Sequence, residues 1–302
     1  MDVLITGSSG LIGSALRPAV LAAGHHPLRL VRGTTTEPDA IGWDPKAGSI
    51  DAASLDGIDA VVNLAGAGIG DHRWTDAYRE EILESRVRTT DLLARTLAGL
   101  DRKPSVLLSG SAVGLYGDRG DEELTEQSAP GHDFLAGICV AWEAATQPAR
   151  DAGIRVAHLR TGIVLSANGG ALKKQLPLFK LFLGGRFGGG TQWQSWISIR
   201  DEVGAILHLL DHDVAGPVNL TAPNPVTNGD FAKVLGGVLG RPSVVPVPAF
   251  GPKLVLGTEL ADSLLFSSQR VRSEALAASG YSFAQPDLEG ALRDLLDAPA
   301  LA

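Results

Sequence analysis

The segment that most constrains the fold of this chain is a glycine-rich stretch directly after its first apolar run. Residues 6–13 read TGSSGLIG; they follow the β-rich run Val3–Ile5 and open a helical pattern over Leu11–Ala23. In such a segment the first glycine permits a tight turn, the second lets a pyrophosphate approach the backbone, and the third lets the helix pack on the sheet. A plain βα turn would also contain glycine, but this position between strand and helix indicates a dinucleotide site.

The start of the predicted helix is suited to a phosphate group. Free N–H groups and the helix dipole both favour an anion at a helix N-terminus. The predicted cofactor contacts in this segment are Thr6, Gly7, Ser9, Gly10, Leu11, Ile12 and Gly13.

Short apolar runs alternate with helical patterns through the first half of the chain. This alternation is typical of βαβ units, and uninterrupted apolar strands are typical of a parallel sheet covered on both faces. We therefore predict an α/β fold with a doubly wound parallel sheet. Its predicted strands and helices are Val3–Ile5, Leu11–Ala23 (helix), Leu28–Val31, Ala60–Leu64, Asp76–Leu100 (helix), Ser105–Leu108, Asp133–Ala152 (helix) and Val156–Leu159.

The sequence pattern changes after Leu165, where glycine-rich and proline-rich stretches replace the regular alternation of strand and helix patterns. This change predicts a second, smaller domain. We assign residues 1–165 to the dinucleotide-binding domain, to which residues 200–221 return with a strand near Val218–Leu220. Residues 166–199 and 222–302 form the predicted substrate-binding domain.

Charge and cysteine content limit the classes of function. The chain has 302 residues and a formal net charge of −8, which argues against a general nucleic-acid binder. A single cysteine, Cys139, excludes an intrachain disulfide and favours a reducing compartment. The start resembles no secretion signal, and no stretch has the roughly 20 apolar residues of a membrane span. We expect a cytoplasmic protein, monomeric or homodimeric, with a small-molecule substrate.

The residue that closes the second strand distinguishes NAD from NADP. An NAD site usually has Asp or Glu there for the ribose 2′-hydroxyl. This chain has Arg32, and no acidic residue occurs between Gly13 and Glu37. A guanidinium can pair with a 2′-phosphate or stack on adenine, although it can also be an ordinary surface arginine. The sequence therefore predicts NADP as the cofactor.

Further contacts are expected where the next strands end, because ligands of doubly wound sheets bind beyond the carboxyl ends of the strands. Leu64, Ala65 and Gly66 follow one such strand, and the last two are small enough for a cofactor to lie against them. Ser109 directly follows the next predicted strand and is expected to contact the cofactor for the same reason. Strand-end capping is an equally good interpretation of Ser109 and of its neighbour Ser111. The seven histidines are scattered without ligand spacing, so no metal site is predicted.

Three motifs together resemble the short-chain dehydrogenase/reductase superfamily, in its extended, sugar-nucleotide-epimerase-like branch. They are TGSSGLIG, DAVVNLAGAG and VLLSGSAVGLYG. More narrowly, the chain resembles an epimerase-like atypical subfamily of unassigned substrate, through segments that run nearly from end to end. The resemblance implies a Rossmann-type domain that binds NADP and a smaller C-terminal substrate domain. The matching segments are RWTDAYREEILESRVRTT, LRTGIVLSANGGAL, QWQSWISIRDEV, GPVNLTAPNPVTNGDF and SSQRVRSEAL.

The resemblance fails at the residues that carry the superfamily's chemistry, a tyrosine and a lysine one helical turn apart with a serine nearby. Aligning Glu143 with the acid that follows the lysine puts Cys139 at the lysine position and Leu135 at the tyrosine position. Leu135 has no proton to give, and Cys139 carries no fixed positive charge. Ser111 stays at the serine position and is the one predicted catalytic residue.

Substrate contacts are predicted on both sides of the expected cleft, and an arginine on each side would suit a phosphate or carboxylate. Core packing is an alternative for Trp196, and Arg86 is expected to make a structural ion pair on its helix. The predicted substrate residues are Arg73, Trp74, Trp193, Trp196, Gln269 and Arg270.

Two functions remain open at this point. The first is an NADP-dependent oxidoreductase or epimerase-like enzyme that acts on a small polar, nucleotide-sugar-like substrate. The second is a non-catalytic NADP(H)-binding sensor or regulatory protein, which the loss of the tyrosine and lysine favours. Hydride transfer belongs to the cofactor, so a site without that pair can still orient it.

Overall fold

An eight-stranded sheet forms the centre of the molecule, and the computed structural model describes residues 1–243 and 245–297. Seven strands are parallel, and only the short edge strand β4 runs antiparallel to its neighbour. From one edge to the other the strands are β12 (Gly216–Leu220), β8 (Arg155–Thr161), β6 (Val106–Ala112), β5 (Ala60–Asn63), β1 (Asp2–Thr6), β2 (His26–Arg32), β3 (Ala40–Asp44) and β4 (Ser49–Ile50).

This strand order makes the sheet doubly wound, as the sequence predicts. The chain builds outward from β1 in one direction through β2 and β3, then returns to β5 on the other side of β1. The carboxyl ends of β1 and β5 therefore flank the point at which the order reverses, where ligands bind in such sheets.

Helices cover both faces of the sheet. Their bounds are α1 (Leu11–Ala22), α2 (Asp76–Ala98), α3 (Phe134–Ala144), α4 (Gln147–Asp151), α5 (Gly170–Lys180), α6 (Ile199–Asp211), α7 (Asn228–Val238), α8 (Phe250–Leu256), α9 (Thr258–Ala261), α10 (Glu274–Ala278) and α11 (Leu288–Asp297). Within the described residues, none of these helices is long and apolar enough to cross a membrane.

Alternation along β1 explains how one strand serves both layers. Val3 and Ile5 pack in one core cluster with α1 and α6, whereas Leu4 packs in another with α2. All three side chains are fully buried. Burial of each contributes roughly 1.5–3 kcal/mol, so both faces of the strand stabilise the sheet.

Two features of the first half differ from the sequence-based prediction. The strands β3 and β4 were not predicted, because AIGWD contains a glycine and no uninterrupted apolar run. The predicted helix Asp133–Ala152 is two helices, α3 and α4, which meet near Thr146. Pro148 lies in the first turn of α4, where its missing N–H is tolerated, and it cannot continue the hydrogen bonding of α3.

The second half of the chain forms a separate core beside the sheet. Leu172, Phe179, Trp196, Phe231 and Leu292 pack together in it, from α5, α7, α11 and the strand before α6. Residue 244 and residues 298–302 of the predicted substrate-binding domain lie outside the described residues. The described short strands outside the main sheet are β7 (Glu123–Leu124), β9 (Ile163–Leu165), β10 (Trp193–Gln194), β11 (Trp196–Ser198), β13 (Val226–Thr227) and β14 (Arg270–Val271).

The segment between the two halves returns to the sheet. Helix α6 packs in the same core cluster as α1, and β12 pairs in parallel with β8. Within residues 199–220, α6 therefore packs on the main sheet and β12 forms its edge strand.

Candidate functional site

The glycine-rich segment forms a tight turn between β1 and α1. Gly7 has φ +64°, and a Cβ there would lie 2.6 Å from the Leu64 carbonyl oxygen. A Cβ on Gly13 would lie 2.7 Å from the Cα of Ser8. Any larger residue would push this turn away from α1 and from the end of β5. The first and third glycines are therefore required by close backbone packing.

The N-terminus of α1 is open to a ligand. Gly10 is its N-cap, no side chain caps the helix, and its first turn contains no acidic residue. Ser9 and Gly10 are exposed, and Leu11 and Ile12 are half-buried. The leading N–H groups of a helix have no intrahelical acceptor, so this end can hold a pyrophosphate.

Two of the predicted cofactor residues lie beneath the site rather than in it. The Thr6 hydroxyl donates to Asn63 Oδ1 over 2.7 Å and accepts from the backbone N–H groups of residues 64 and 65. Asn63 Nδ2 donates to the hydroxyl of Ser109, and all three side chains are buried. The side chains of Thr6 and Ser109 therefore fix the strand ends that form the floor of the site, and their contacts with a cofactor stay a prediction.

Arg32 projects from the exposed end of β2. Among the described residues it has no ion-pair or hydrogen-bond partner. The acids that follow it along the chain, Glu37 and Asp39, are both held by Arg29, whose guanidinium bonds Asp39 at 2.7 and 3.0 Å. The same hydrogen bonds hold the pKa of Asp39 below its usual value. The end of β2 therefore presents one unpaired cation.

Arg86 lies at the other side of the site, and its predicted ion pair is wrong. No carboxylate pairs with it among the described residues, and its side chain is buried. Its Nη1 donates to the carbonyl of Ile82, and its guanidinium lies over the ring of Trp142, 5.1 Å from the centroid. Desolvation lowers the pKa of this arginine. Sequence spacing gave no sign of this, because burial of the helix face depends on α3.

Helix α3 carries Leu135 and Cys139, the two residues that the sequence comparison aligns with the superfamily's tyrosine and lysine. Leu135 packs against Tyr78, Ile82 and Ile138, and is itself buried. Cys139 is also buried, and burial raises the pKa of its thiol to about 12. Leu135 has no ionisable group, and the Cys139 thiol stays protonated and uncharged at neutral pH, so neither residue supplies a positive charge.

Ser111 donates its hydroxyl proton to a buried ion pair. Its Oγ lies 2.7 Å from Glu143 Oε1, and Arg160 holds the same carboxylate through Nε at 2.9 Å and Nη2 at 3.0 Å. Burial raises the pKa of Glu143, but the hydrogen bonds and charge of Arg160 outweigh it and leave that pKa below the usual value. The Ser111 hydroxyl is thus oriented toward an ionised carboxylate.

Three of the predicted substrate residues meet at the strand pair β7–β14. Trp193 Nε1 donates to Asp121 at 2.8 Å, and the Arg270 guanidinium lies 4.6 Å from the centre of the Trp193 ring. Arg270 also pairs with Glu123 at 3.0 Å. The backbone of Gln269 bonds to Trp193. A cavity of about 420 Å³ opens beside this group, and Asp121 is part of its lining.

The other three predicted substrate residues lie elsewhere. Arg73 donates to the backbone carbonyls of Leu254 and Val255 in α8, and Trp74 packs on Phe134 with ring centroids 5.0 Å apart. Trp196 is fully buried and donates to a backbone carbonyl, which agrees with the core-packing alternative, and its contact with a substrate stays a prediction. No group of His, Cys, Asp and Glu in residues 1–243 and 245–297 could hold a metal ion.

Comparison with known proteins gives the family of the chain. Residues 3–221 match the NAD dependent epimerase/dehydratase family, and residues 247–295 match a domain of unknown function, DUF1731. The epimerase family protein Mb2239 of Mycobacterium bovis is 42% identical over 282 residues, which cover 93% of each chain.

Two solved structures extend this similarity to three dimensions. The crystal structure of the human epimerase family protein SDR39U1 with NADPH has a TM-score of 0.91 and 35% identity, covering 98% of this chain and 99% of that one. A nucleoside-diphosphate sugar epimerase from Corynebacterium glutamicum has a TM-score of 0.80 and 40% identity, covering 98% of this chain and 58% of that one. The fold, the fingerprint turn and these matches agree: the chain belongs to the NAD-dependent epimerase/dehydratase family, among the atypical short-chain dehydrogenases that include SDR39U1.

Proposed function

We propose that this protein binds NADP(H) at the carboxyl ends of β1, β2 and β5 and acts as an oxidoreductase or epimerase-like enzyme on a small polar substrate. The observation that carries the cofactor choice is the unpaired Arg32 at the end of β2, with Glu37 and Asp39 both held by Arg29. A 2′-phosphate would meet there a guanidinium that has no ion-pair partner among the described residues, while the carboxylates of Glu37 and Asp39 are already paired.

The residues present fit this cofactor. The uncapped start of α1 receives the pyrophosphate, Arg32 receives the 2′-phosphate, and Leu64, Ala65 and Gly66 are the proposed contacts beyond the end of β5. Bound NADP(H) supplies or accepts the hydride, and the protein supplies orientation and proton transfer. The Ser111 hydroxyl, held by Glu143, is the proposed polar contact of the substrate oxygen.

The similar proteins support the same assignment. The human relative was crystallised with NADPH, and the bacterial relative is described as a nucleoside-diphosphate sugar epimerase. We therefore propose nucleotide sugars as the first substrate class to test. We also propose that residues 1–165 and 200–221 bind the cofactor, that residues 166–199 and 222–302 bind the substrate near Trp193 and Arg270, and that the protein is a cytoplasmic monomer or homodimer.

A second candidate function is a non-catalytic NADP(H) sensor. It is favoured by the buried Leu135 and Cys139, which leave α3 without the tyrosine and lysine of the superfamily. The two candidates share the cofactor and differ in turnover.

One experiment separates them. NADPH binding is measured by calorimetry, NADPH oxidation is followed against a panel of carbonyl compounds, and nucleotide-sugar interconversion is followed by NMR. Sustained turnover supports the enzyme, whereas tight binding without turnover supports the sensor. A protein that binds no NADPH contradicts both. Gly10→Val, which places a side chain where the pyrophosphate would lie, is the control for background reaction.

A further inference from the structure

We propose that Arg86, projecting from α2, binds the nicotinamide ribose phosphate of NADP(H) and supplies the positive charge that α3 lacks at Cys139. This inference rests on the proposed cofactor function. It adds Arg86 to the cofactor residues, among which the sequence analysis did not place it.

The first observation is a buried cation with donors to spare. Arg86 is only 7% exposed, and of its three nitrogens only Nη1 has an acceptor among the described residues, the Ile82 carbonyl at 3.0 Å. Nε and Nη2 have no acceptor in that part of the chain, and neither atom is fully buried, so both remain accessible to a ligand. A buried charge without a counter-ion is costly, and an anionic ligand would remove that cost.

The second observation is where the guanidinium lies. A Cβ on Gly66 would lie 3.2 Å from Arg86 Cζ, so the Arg86 side chain rests against the loop that follows β5. The preceding residue on α2, Ser85, accepts from the backbone N–H of Ala67 at 3.0 Å and fixes the helix to this loop. Arg86 is thereby held beside the floor of the cofactor site.

The third observation assigns it to one half of the dinucleotide. The sheet order β2, β1, β5 puts Arg32 on one side of the glycine turn and Arg86 on the other. A dinucleotide lies across this switch point with its pyrophosphate at the start of α1. If Arg32 holds the 2′-phosphate of the adenosine half, Arg86 faces the nicotinamide half.

The fourth observation connects Arg86 with the lost lysine. Its guanidinium covers the ring of Trp142, which lies one helical turn after Cys139 on α3. The charge of Arg86 also opposes the burial that raises the pKa of the Cys139 thiol. A positive charge thus lies near the position at which the superfamily has its lysine, but it is supplied by the neighbouring helix.

The test compares two ligands on matched variants. NADPH contains the nicotinamide ribose phosphate, whereas adenosine 2′,5′-bisphosphate lacks it and keeps the 2′-phosphate. Arg86→Gln should weaken NADPH binding roughly tenfold or more, the effect of one charge-assisted hydrogen bond, and change the affinity for the bisphosphate less than about twofold. Arg32→Ala, the control, should weaken both ligands.

Charge rescue gives a second readout. The double variant Arg86→Gln with Cys139→Lys should recover part of the NADPH affinity, and Arg86→Lys should lose less than Arg86→Gln. Equal NADPH affinity in wild type and Arg86→Gln would overturn the proposal, as would an equal loss of both ligands, which indicates a merely structural arginine. A wild-type protein that binds no NADPH contradicts the proposed function instead.

Discussion

Thr6 and Asn63 end two neighbouring parallel strands, and the hydroxyl of Thr6 donates to the side-chain oxygen of Asn63 over 2.7 Å. The same hydroxyl accepts from two backbone N–H groups at the end of β5. One buried side chain therefore sets the distance between the glycine turn and the strand end that lies opposite it. The shape of the proposed cofactor site depends on this link more than on any contact that Thr6 could make itself.

Replacing Thr6 should lower both the stability of the protein and its affinity for NADPH. Thr6→Val keeps the shape of the side chain but leaves Asn63 Oδ1 and two backbone N–H groups without this partner, which should lower the unfolding free energy by roughly 1–3 kcal/mol. Denaturant unfolding measures the loss, and calorimetry should show weaker NADPH binding as well. Thr6→Ser keeps the hydroxyl and is the matched control. A fully stable Thr6→Val protein would show that the link is dispensable.

Cofactor choice should depend on Arg32. The wild type should bind NADPH much more tightly than NADH, and Arg32→Ala should weaken NADPH by roughly 1.5–3 kcal/mol while leaving NADH almost unchanged. Calorimetry with both cofactors measures this. Arg95→Ala removes an exposed arginine that pairs with Asp91 on α2 and serves as a charge control. Equal affinity for the two cofactors would contradict the role of Arg32.

Substitutions of the second and third glycines of the turn, Gly10 and Gly13, should affect different properties: cofactor binding in the first case and stability in the second. A Cβ on Gly10 would meet only the Gly7 carbonyl oxygen, at 3.2 Å, so Gly10→Val should abolish cofactor binding and leave the fold largely intact. Gly13→Ala forces a Cβ to 2.7 Å from the Cα of Ser8, and should cost about 1–3 kcal/mol of stability. Melting curves and binding assays together separate the effects. Normal NADPH binding by Gly10→Val would make the turn purely structural.

The thiol of Cys139 should be unreactive in the native protein and should contribute little to cofactor binding or turnover. Because burial raises the pKa of its thiol to about 12, a disulfide reagent at pH 8 should react slowly with the native protein and rapidly after denaturation. Cys139→Ala should change NADPH affinity little and keep any turnover within a few-fold, since a thiol is a weak donor and acceptor. A loss of about a hundredfold in rate, typical of a general acid–base group, would instead assign proton transfer to the thiol.

Stability should depend on pH through Glu202. This carboxyl is fully buried, accepts one hydrogen bond from Thr161, and its second oxygen has no partner; burial raises its pKa to about 8. The pKa of an unfolded glutamate is near its ordinary value of 4.5, so between pH 4.5 and 8 the folded state binds the extra proton. The contribution of Glu202 to stability therefore falls as pH rises through this range, by up to roughly 1.4 kcal/mol per pH unit.

The uncharged variant Glu202→Gln should remove that dependence. Its stability relative to wild type should be similar near pH 4.5 and increase steadily up to about pH 8, where the difference levels off. Thermal melts from pH 4.5 to 9 measure it. A constant difference across the range would mean that Glu202 stays ionised in the folded protein.

Local sequence determined the parts of this protein that depend on neighbouring residues. The glycine turn, the helix that follows it and the apolar strands were predictable because each is set by residues a few positions apart, and the doubly wound sheet follows from their alternation. Strand β3 was not predictable in this way, because Gly42 interrupts its apolar pattern. Arg32 was informative because an end-of-strand position has a fixed place beside the glycine turn.

Tertiary structure decided which side chains reach the site. Thr6 and Ser109 belong to the right segments but point into a buried hydrogen-bond network, and Trp196 lies in the core of the second half. Arg86 shows the opposite case, since its helix appears charged in sequence yet its guanidinium is buried against Gly66 and Trp142. Local spacing fixes which residues share a strand end or a helix face. Which of those faces is buried, and which charge is left without a partner, is set only when elements distant in the chain pack together.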